Sequence, residues 1–261
     1  MFPRLFEIGR FHVASYGLFV ALGYLAGIAW LKKHREAMGL TEDRFWSLIY
    51  AVFFGAVLGG KLMFMALNWK AYASGQLGII GDFRYGFVYY GGVLGCLACG
   101  TLYARRVGIP FAPTVDYFAV VAPIGQAIGR IGCLAAGCCY GAPTSLPWGI
   151  AFTDRHSLVP DNLLGVKLHP SQLYESLGNL VVAWVVWSVL GRRLEGKTAP
   201  GNAFVAYVCL YSILRFLVEF TRADDRGGFF LGLSPAQWTA IVLAAGVLVW
   251  NAVRRPEAEA A

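Results

Sequence analysis

The sequence predicts an all-α fold: a polytopic integral membrane bundle of seven transmembrane helices, forming a single transmembrane domain over residues 1–261. Three observations lead there. Hydrophobic residues make up 57% of the chain and charged residues 14%, and the mean hydropathy of +0.57 is far above that of a soluble domain. Seven apolar runs, at 12–31, 45–67, 86–103, 113–134, 172–190, 203–220 and 235–252, each approach the ~20 residues that a bilayer core requires. Basic residues concentrate in alternate connections: Lys32, Lys33, Arg35 and Arg44 after the first run, Arg105 and Arg106 after the third, and Arg192, Arg193 and Lys197 after the fifth, with Arg254 and Arg255 in the tail. Spanning strands would leave backbone groups unpaired in lipid, so helices are expected throughout.

The first run follows Arg4 and Arg10 as a secretory signal would, but six further spans follow it and no Ala-x-Ala site ends it. It is therefore expected to be a retained helix. Gly23 and Gly27 in this run, like Gly55 and Gly59 in the second, have the spacing that lets two membrane helices approach closely. Lys61 lies inside the second run, where it can snorkel or meet a lipid phosphate. The third run opens on Tyr85-Gly86-Phe87-Val88-Tyr89-Tyr90-Gly91-Gly92, an interfacial aromatic belt on its face. Asp116, near the start of the fourth run, suits a cap-like role at that helix start. Segment 137–171 holds Pro143, Pro147, Pro160 and Pro170 and is longer than a connection needs, as lids and recognition segments often are.

With the basic connections placed in the cytoplasm, the 137–171 loop and the N-terminus face outward and the C-terminus inward. The net charge of +7 is then mostly an anchor on anionic membrane lipids, and nothing in it calls for nucleic acid.

Buried charge marks the functional residues. Gly129-Arg130-Ile131-Gly132 closes the fourth run, and an arginine there costs about 3 kcal/mol on insertion scales unless a carboxylate or an anionic ligand compensates it. Gly125, Gly129 and Gly132 share one helix face of bare backbone, open to another helix or to a head group. On the fifth run Gln172, Glu175 and Asn179 recur as a polar stripe that must face the bundle interior. On the sixth, Tyr211, Arg215, Glu219 and Arg222 fall on one continuous helix face, with Glu219 able to neutralise either arginine. Three arginines against Glu175 and Glu219 leave one positive charge over. That surplus suits a phosphodiester, although a closed ion-pair network that only pins helices has the same composition.

Six cysteines are present. Cys96, Cys99 and Cys209 lie inside spans as small packing residues. Cys133, Cys138 and Cys139 cluster beside Arg130 at the outward end of the fourth run, where an oxidising compartment permits a disulfide. Their spacing is no zinc pattern, so no metal ligand is assigned and no cofactor is expected.

Gly129-Arg130-Ile131-Gly132, His169-Pro170-Ser171-Gln172-Leu173-Tyr174-Glu175 and Arg215-Phe216-Leu217-Val218-Glu219-Phe220-Thr221-Arg222 together resemble the motifs of the prolipoprotein diacylglyceryl transferases. Tyr16-Gly17 and Ser234-Pro235-Ala236-Gln237 are similar to further stretches of that family. The chain departs from the family pattern at Cys133, Ala136 and Cys138, where Asn, Asn and Glu are usual, and at Tyr90, where the family has a histidine proposed as the thiol base.

The resemblance implies transfer of the diacylglyceryl group of phosphatidylglycerol to the lipobox cysteine thiol of prolipoprotein signal peptides, with glycerol phosphate leaving, as the first step of lipoprotein maturation. It implies catalytic roles for Arg130, Arg215, Glu219 and Tyr90. Substrate-binding roles are implied for Tyr16, Gly129, Gly132, His169, Gln172, Glu175, Tyr211 and Arg222. Two other functions fit the same residues: a diverged relative that binds lipid or lipoprotein without catalysis, and a membrane thiol-redox protein using Cys133, Cys138 and Cys139.

Overall fold

The structure, a computed structural model, describes residues 3–8, 11–79, 86–223 and 228–259. Arg10 and Tyr85, singled out above, lie outside them. In order come β1 (Arg4–Ile8), β2 (Phe11–Ala14), α1 (Ser15–Lys33), α2 (Glu42–Leu67), α3 (Trp69–Ala73), α4 (Tyr89–Arg106), α5 (Phe111–Ala136), β3 (Ile150–Ala151), a 3-10 turn (Asp161–Leu163), β4 (Lys167–Leu168), α6 (Ser171–Leu194), α7 (Asn202–Glu219) and α8 (Pro235–Glu259).

Every predicted span is a helix, and the chain is a polytopic helical membrane protein. Six helices are long and apolar enough to cross a bilayer: α1, α2, α5, α6, α7 and α8. The seventh, α4, is 18 residues long, carries four glycines and ends on Arg105-Arg106, so seven spans is an approximate count. Boundaries differ where polar caps extend a helix beyond its apolar run. Helix α2 begins at Glu42 rather than 45 because Thr41 accepts the Arg44 amide at 3.4 Å and Glu42 and Asp43 suit a helix N-terminus. Helix α1 begins at Ser15 rather than 12 because β2 pairs antiparallel with β1, an N-terminal hairpin that hydropathy does not reveal.

Two compact units make up the chain. The smaller, Lys32–Thr114, is built on the α2–α4 pair. Gly55 and Gly95 make their close approach: a Cβ at Gly95 would overlap the Gly55 carbonyl oxygen. Bare backbone is therefore obligatory at this crossing. Lys61 packs on aromatic rings of this unit. It is buried, with its ammonium 5.4 Å from the Phe64 ring centre and 5.6 Å from that of Phe87, so aromatic faces receive the charge.

The larger unit, Met1–Leu31 with Val115–Ala261, places α7 against both α6 and α8. Asp116 departs from expectation here. It does not cap its own helix, which starts five residues earlier. Fully buried, it accepts the backbone N–H groups of Gly201 (2.7 Å) and Phe204 (2.9 Å) at the start of α7, with Arg193 at 3.5 Å. A carboxylate on those unpaired amides and the positive end of the α7 dipole fixes one helix on another. Segment 137–171 is a folded piece rather than an open loop: Tyr140, Phe152, Val159 and Leu168 form a core of their own, closed by the β3–β4 pair.

Candidate functional site: an arginine–carboxylate cluster

Helix α6 supplies the centre of the site. Its inward face carries Gln172, Glu175 and Asn179, all fully buried, while Leu177, Leu180, Val181, Trp184 and Trp187 point outward. The polar stripe thus faces the bundle interior, as an apolar surround requires. Asn179 donates to the Glu175 carbonyl at 2.8 Å, and Ser176 donates to the Ala127 carbonyl of α5 at 3.0 Å, which sets α6 against α5.

The Glu175 carboxylate is shared by three arginines. Arg130 donates to Oε1 at 2.8 Å, Arg222 donates to Oε2 at 3.3 Å, and Arg215 Nε lies 3.9 Å from Oε1. Arg215 also pairs with Glu219 one turn further along α7, at 2.7 Å. The other Glu219 oxygen accepts the Ser234 hydroxyl at 2.7 Å. Ser234 in turn forms a capping box with Gln237: its Oγ accepts the Gln237 amide at 3.2 Å, and Gln237 Oε1 accepts the Ser234 amide at 3.0 Å. The Ser-x-x-Gln sequence therefore starts α8 and anchors Glu219 together.

One expectation needs correcting. Tyr211, Arg215, Glu219 and Arg222 do not share one continuous helix face, because α7 ends at Glu219. Beyond it the chain turns away to pair with residues 141 and 142: Gly141 bridges Arg222, and the Ala142 amide donates to the Thr221 carbonyl at 2.8 Å. Arg222 comes to Glu175 from that turn.

The side chains of Arg130, Arg215 and Arg222 are 20%, 10% and 2% exposed, against 0% for Glu175. Arg130 is thus the most exposed of the three arginines. Tyr211 of α7 and Tyr16 of α1 lie in electrostatic range of Arg130. Gly132 lets α1 approach: a Cβ there would stand 2.9 Å from Phe19 Cβ, whereas a Cβ at Gly129 would meet nothing. The bare helix face is therefore divided, with Gly132 packed on α1 and Gly129 left open beside Arg130.

His169 and Gln172 hold the segment after α5. The His169 carbonyl accepts the Gly141 amide at 3.0 Å and its amide donates to the Ala142 carbonyl at 2.9 Å, while Gln172 Nε2 donates to the Cys138 carbonyl at 2.7 Å. Trp148 donates its indole N–H to the Tyr174 hydroxyl at 2.8 Å, and that hydroxyl lies 3.3 Å from His169 Nδ1. Tyr90 belongs to the smaller unit, where it is 45% exposed at the start of α4 with its ring edge against Tyr89.

The three cysteines that the sequence groups beside Arg130 come together in space. The thiols of Cys133, Cys138 and Cys139 all lie within 4.8 Å of one another, and all three are free. Gly137 (φ 78°) and Cys139 (φ 60°) turn the chain back over the helix end, and the amides of Gly137 and Cys138 both donate to the Cys133 carbonyl, at 2.9 and 3.1 Å. A non-glycine residue in the left-handed region costs about 1–2 kcal/mol. Hydrogen bonds with Cys133 and Cys139, with burial, push the Cys138 thiol up. The Cys139 thiol is held down by hydrogen bonds with Cys133 and Cys138, and Arg222 and Arg130 favour its anion.

Fold and site thus define a multi-pass helical membrane protein with a net-positive cluster buried where α5, α6 and α7 meet. Residues 3–252 match the family model described as prolipoprotein diacylglyceryl transferase. Among similar proteins is the phosphatidylglycerol–prolipoprotein diacylglyceryl transferase of Clostridium tetani, 34% identical over 253 residues that cover 96% of this chain and 97% of that one. Proteins of the same name, the second of them numbered 2, occur in Nitratidesulfovibrio vulgaris (36% identical, covering 85% of this chain and 81% of the relative) and Clostridium perfringens (33%, covering 94% and 93%). The chain belongs to the prolipoprotein diacylglyceryl transferase family.

Proposed function

We propose that this protein transfers the diacylglyceryl group of phosphatidylglycerol to the cysteine thiol of a prolipoprotein lipobox. The thiol sulfur attacks the glyceryl carbon bonded to the phosphate oxygen, the C–O bond breaks, and glycerol phosphate departs with the electron pair while the thiol proton is lost. Family membership supports the reaction. The observation that carries it to particular residues is the charge of the cluster: Arg130, Arg215 and Arg222 against Glu175 and Glu219, with Arg130 the most exposed.

One uncompensated positive charge in a water-poor site attracts the phosphodiester, and it gains more from the leaving phosphate, on which negative charge grows. Arg130 grips that phosphate, with the open backbone at Gly129 giving the head group room. Arg215, braced between Glu175 and Glu219, keeps the second guanidinium in place, and Arg222 completes the field. Tyr16 and Tyr211 line the approach to Arg130, Gly132 seats α1 beside it, and His169 and Gln172 fix the segment over it. Tyr90 is assigned to the thiol side on the strength of the family motif alone.

Family membership supports a bacterial inner membrane location, and the distribution of Lys and Arg supports an orientation with the N-terminus and the 137–171 segment outside and the C-terminus inside. A cysteine introduced at exposed Arg155 is expected to react with an impermeant thiol reagent in intact cells; labelling only after lysis reverses the orientation. The reaction is tested with purified protein, phosphatidylglycerol vesicles and a lipobox peptide. Thioether-linked diacylglyceryl peptide together with glycerol phosphate is the expected outcome, and binding of both substrates without product contradicts it.

A further inference from the structure

The trio of thiols at the end of α5 has no part in the proposed transfer. Cys133 sits in the last turn of the helix, and the left-handed conformations at Gly137 and Cys139 fold the next residues back so that Cys138 and Cys139 present their sulfurs to the same point. All three sulfurs fall within 4.8 Å of one another. A cation at its usual Zn–S distance of about 2.3 Å holds three sulfurs about 4 Å apart, so a small contraction of this triangle creates a trigonal site. A disulfide accounts for two of these sulfurs and leaves the third unexplained.

The surroundings select the cation's chemistry. The triad has three sulfur donors and no carboxylate, a set that favours soft and borderline cations over Mg2+ or Ca2+. Three thiolates around Zn2+ carry a net charge of −1 and around Cu+ a net −2. Arg222 and Arg130, both in electrostatic range of Cys139, offset that charge. Glu175 is already engaged by arginines and cannot swing over as a hard ligand without releasing them.

We infer that Cys133, Cys138 and Cys139 form a three-thiolate binding site for a thiophilic d10 cation of the Zn2+, Cd2+ or Cu+ type. Each thiol gives its proton to solvent as its sulfur takes up the metal, and no change of oxidation state is involved. The site shares Arg130 and Arg222 with the proposed phosphate site, but cation binding is measured without the transfer reaction and is judged apart from it.

The experiment uses the full chain, purified in detergent, reduced and stripped with a chelator, with Cd2+ as the probe. One tightly held Cd2+ per chain is expected after desalting, with sulfur-to-metal charge-transfer absorption in the ultraviolet. In the unsubstituted protein, Cd2+ should protect Cys133, Cys138 and Cys139 from maleimide while leaving the labelling of Cys96, Cys99 and Cys209 unchanged, and excess Zn2+ should displace it. The double variant Cys138→Ser/Cys139→Ser should lose the absorption and the bound Cd2+, and Cys96→Ser/Cys99→Ser should keep both. Maleimide labelling of the trio that ignores Cd2+, or Cd2+ retained in full by Cys138→Ser/Cys139→Ser, overturns the assignment. So does a reduced trio that takes up no Cd2+ and closes a disulfide in air.

Discussion

Replacing Glu175 by Gln removes one negative charge while keeping the shape of the side chain, and the cluster around it sets the consequence. Glu175 is fully buried and faces guanidinium nitrogens at 2.8, 3.3 and 3.9 Å. Without it, three arginines have only Glu219 to balance them. Removing one partner of a buried ion pair costs about 3–5 kcal/mol, because the remaining charge stays desolvated and unpaired. For a chain of this size each kcal/mol lowers the melting temperature by about 2–4 °C, so E175Q should melt roughly 6–20 °C below the unsubstituted protein. The same change doubles the positive surplus, from one to two, so phosphatidylglycerol should stabilise E175Q by more degrees than it stabilises the unsubstituted protein. Transfer should still fall, since Arg130 has lost the carboxylate that orients it. Thermal unfolding in detergent, with phosphatidylglycerol and with uncharged phosphatidylcholine, checks both points. An E175Q protein that melts with the unsubstituted chain, or gains nothing extra from the anionic lipid, refutes the claim that Glu175 neutralises this cluster.

Asp116→Ala should lower the melting temperature by an amount equivalent to about 2–4 kcal/mol, because two α7 amides and Arg193 lose their acceptor, while activity per folded molecule holds. Gly95→Leu should abolish accumulation of folded protein in membranes, as the side chain has no space against the Gly55 carbonyl; normal abundance contradicts the tight α2–α4 crossing. Tyr90→Phe should lower turnover and Tyr90→His should preserve or raise it, because an imidazole with a pKa of about 6.5 accepts a proton near neutrality. Full activity of Tyr90→Phe in the transfer assay makes Tyr90 a packing aromatic.

The helices were legible because lipid imposes a simple rule on sequence: about 20 apolar residues per crossing, with charge outside. The α6 stripe was legible for the same reason, since Gln172, Glu175 and Asn179 on an otherwise apolar helix can only point inward. The i,i+4 pairing of Arg215 with Glu219 could also be read from spacing alone. What remained hidden depends on contacts between residues far apart in sequence. Asp116 meets Gly201 across 85 positions, and Glu175 meets Arg130 and Arg222 across 45 and 47. The small core of Tyr140, Phe152, Val159 and Leu168 has no periodicity to betray it. The cysteines were legible as a group at the end of the fourth run, but their triangle was not: the spacing straddles a helix end, and the left-handed turn at Gly137 and Cys139 brings the sulfurs together. The end of α7 could not be anticipated from hydropathy, because the apolar run continues through Phe220 while the helix stops at Glu219 and Thr221 and Arg222 turn to residues 142 and 141.

The central claim is that Arg130 is the exposed member of a phosphate site rather than a brace between helices, and Arg130→Gln separates the two. A brace predicts a protein destabilised to the same extent with or without phosphatidylglycerol. A phosphate site predicts a folded variant that phosphatidylglycerol no longer stabilises thermally, since ligand stabilisation follows affinity. Diacylglyceryl transfer to a lipobox peptide should then fall by about 100-fold or more, the scale of losing one transition-state donor, and Lys should rescue poorly because a point charge lacks the bidentate fork. A well-folded Arg130→Gln protein with unchanged phosphatidylglycerol stabilisation and unchanged transfer contradicts the site proposed here.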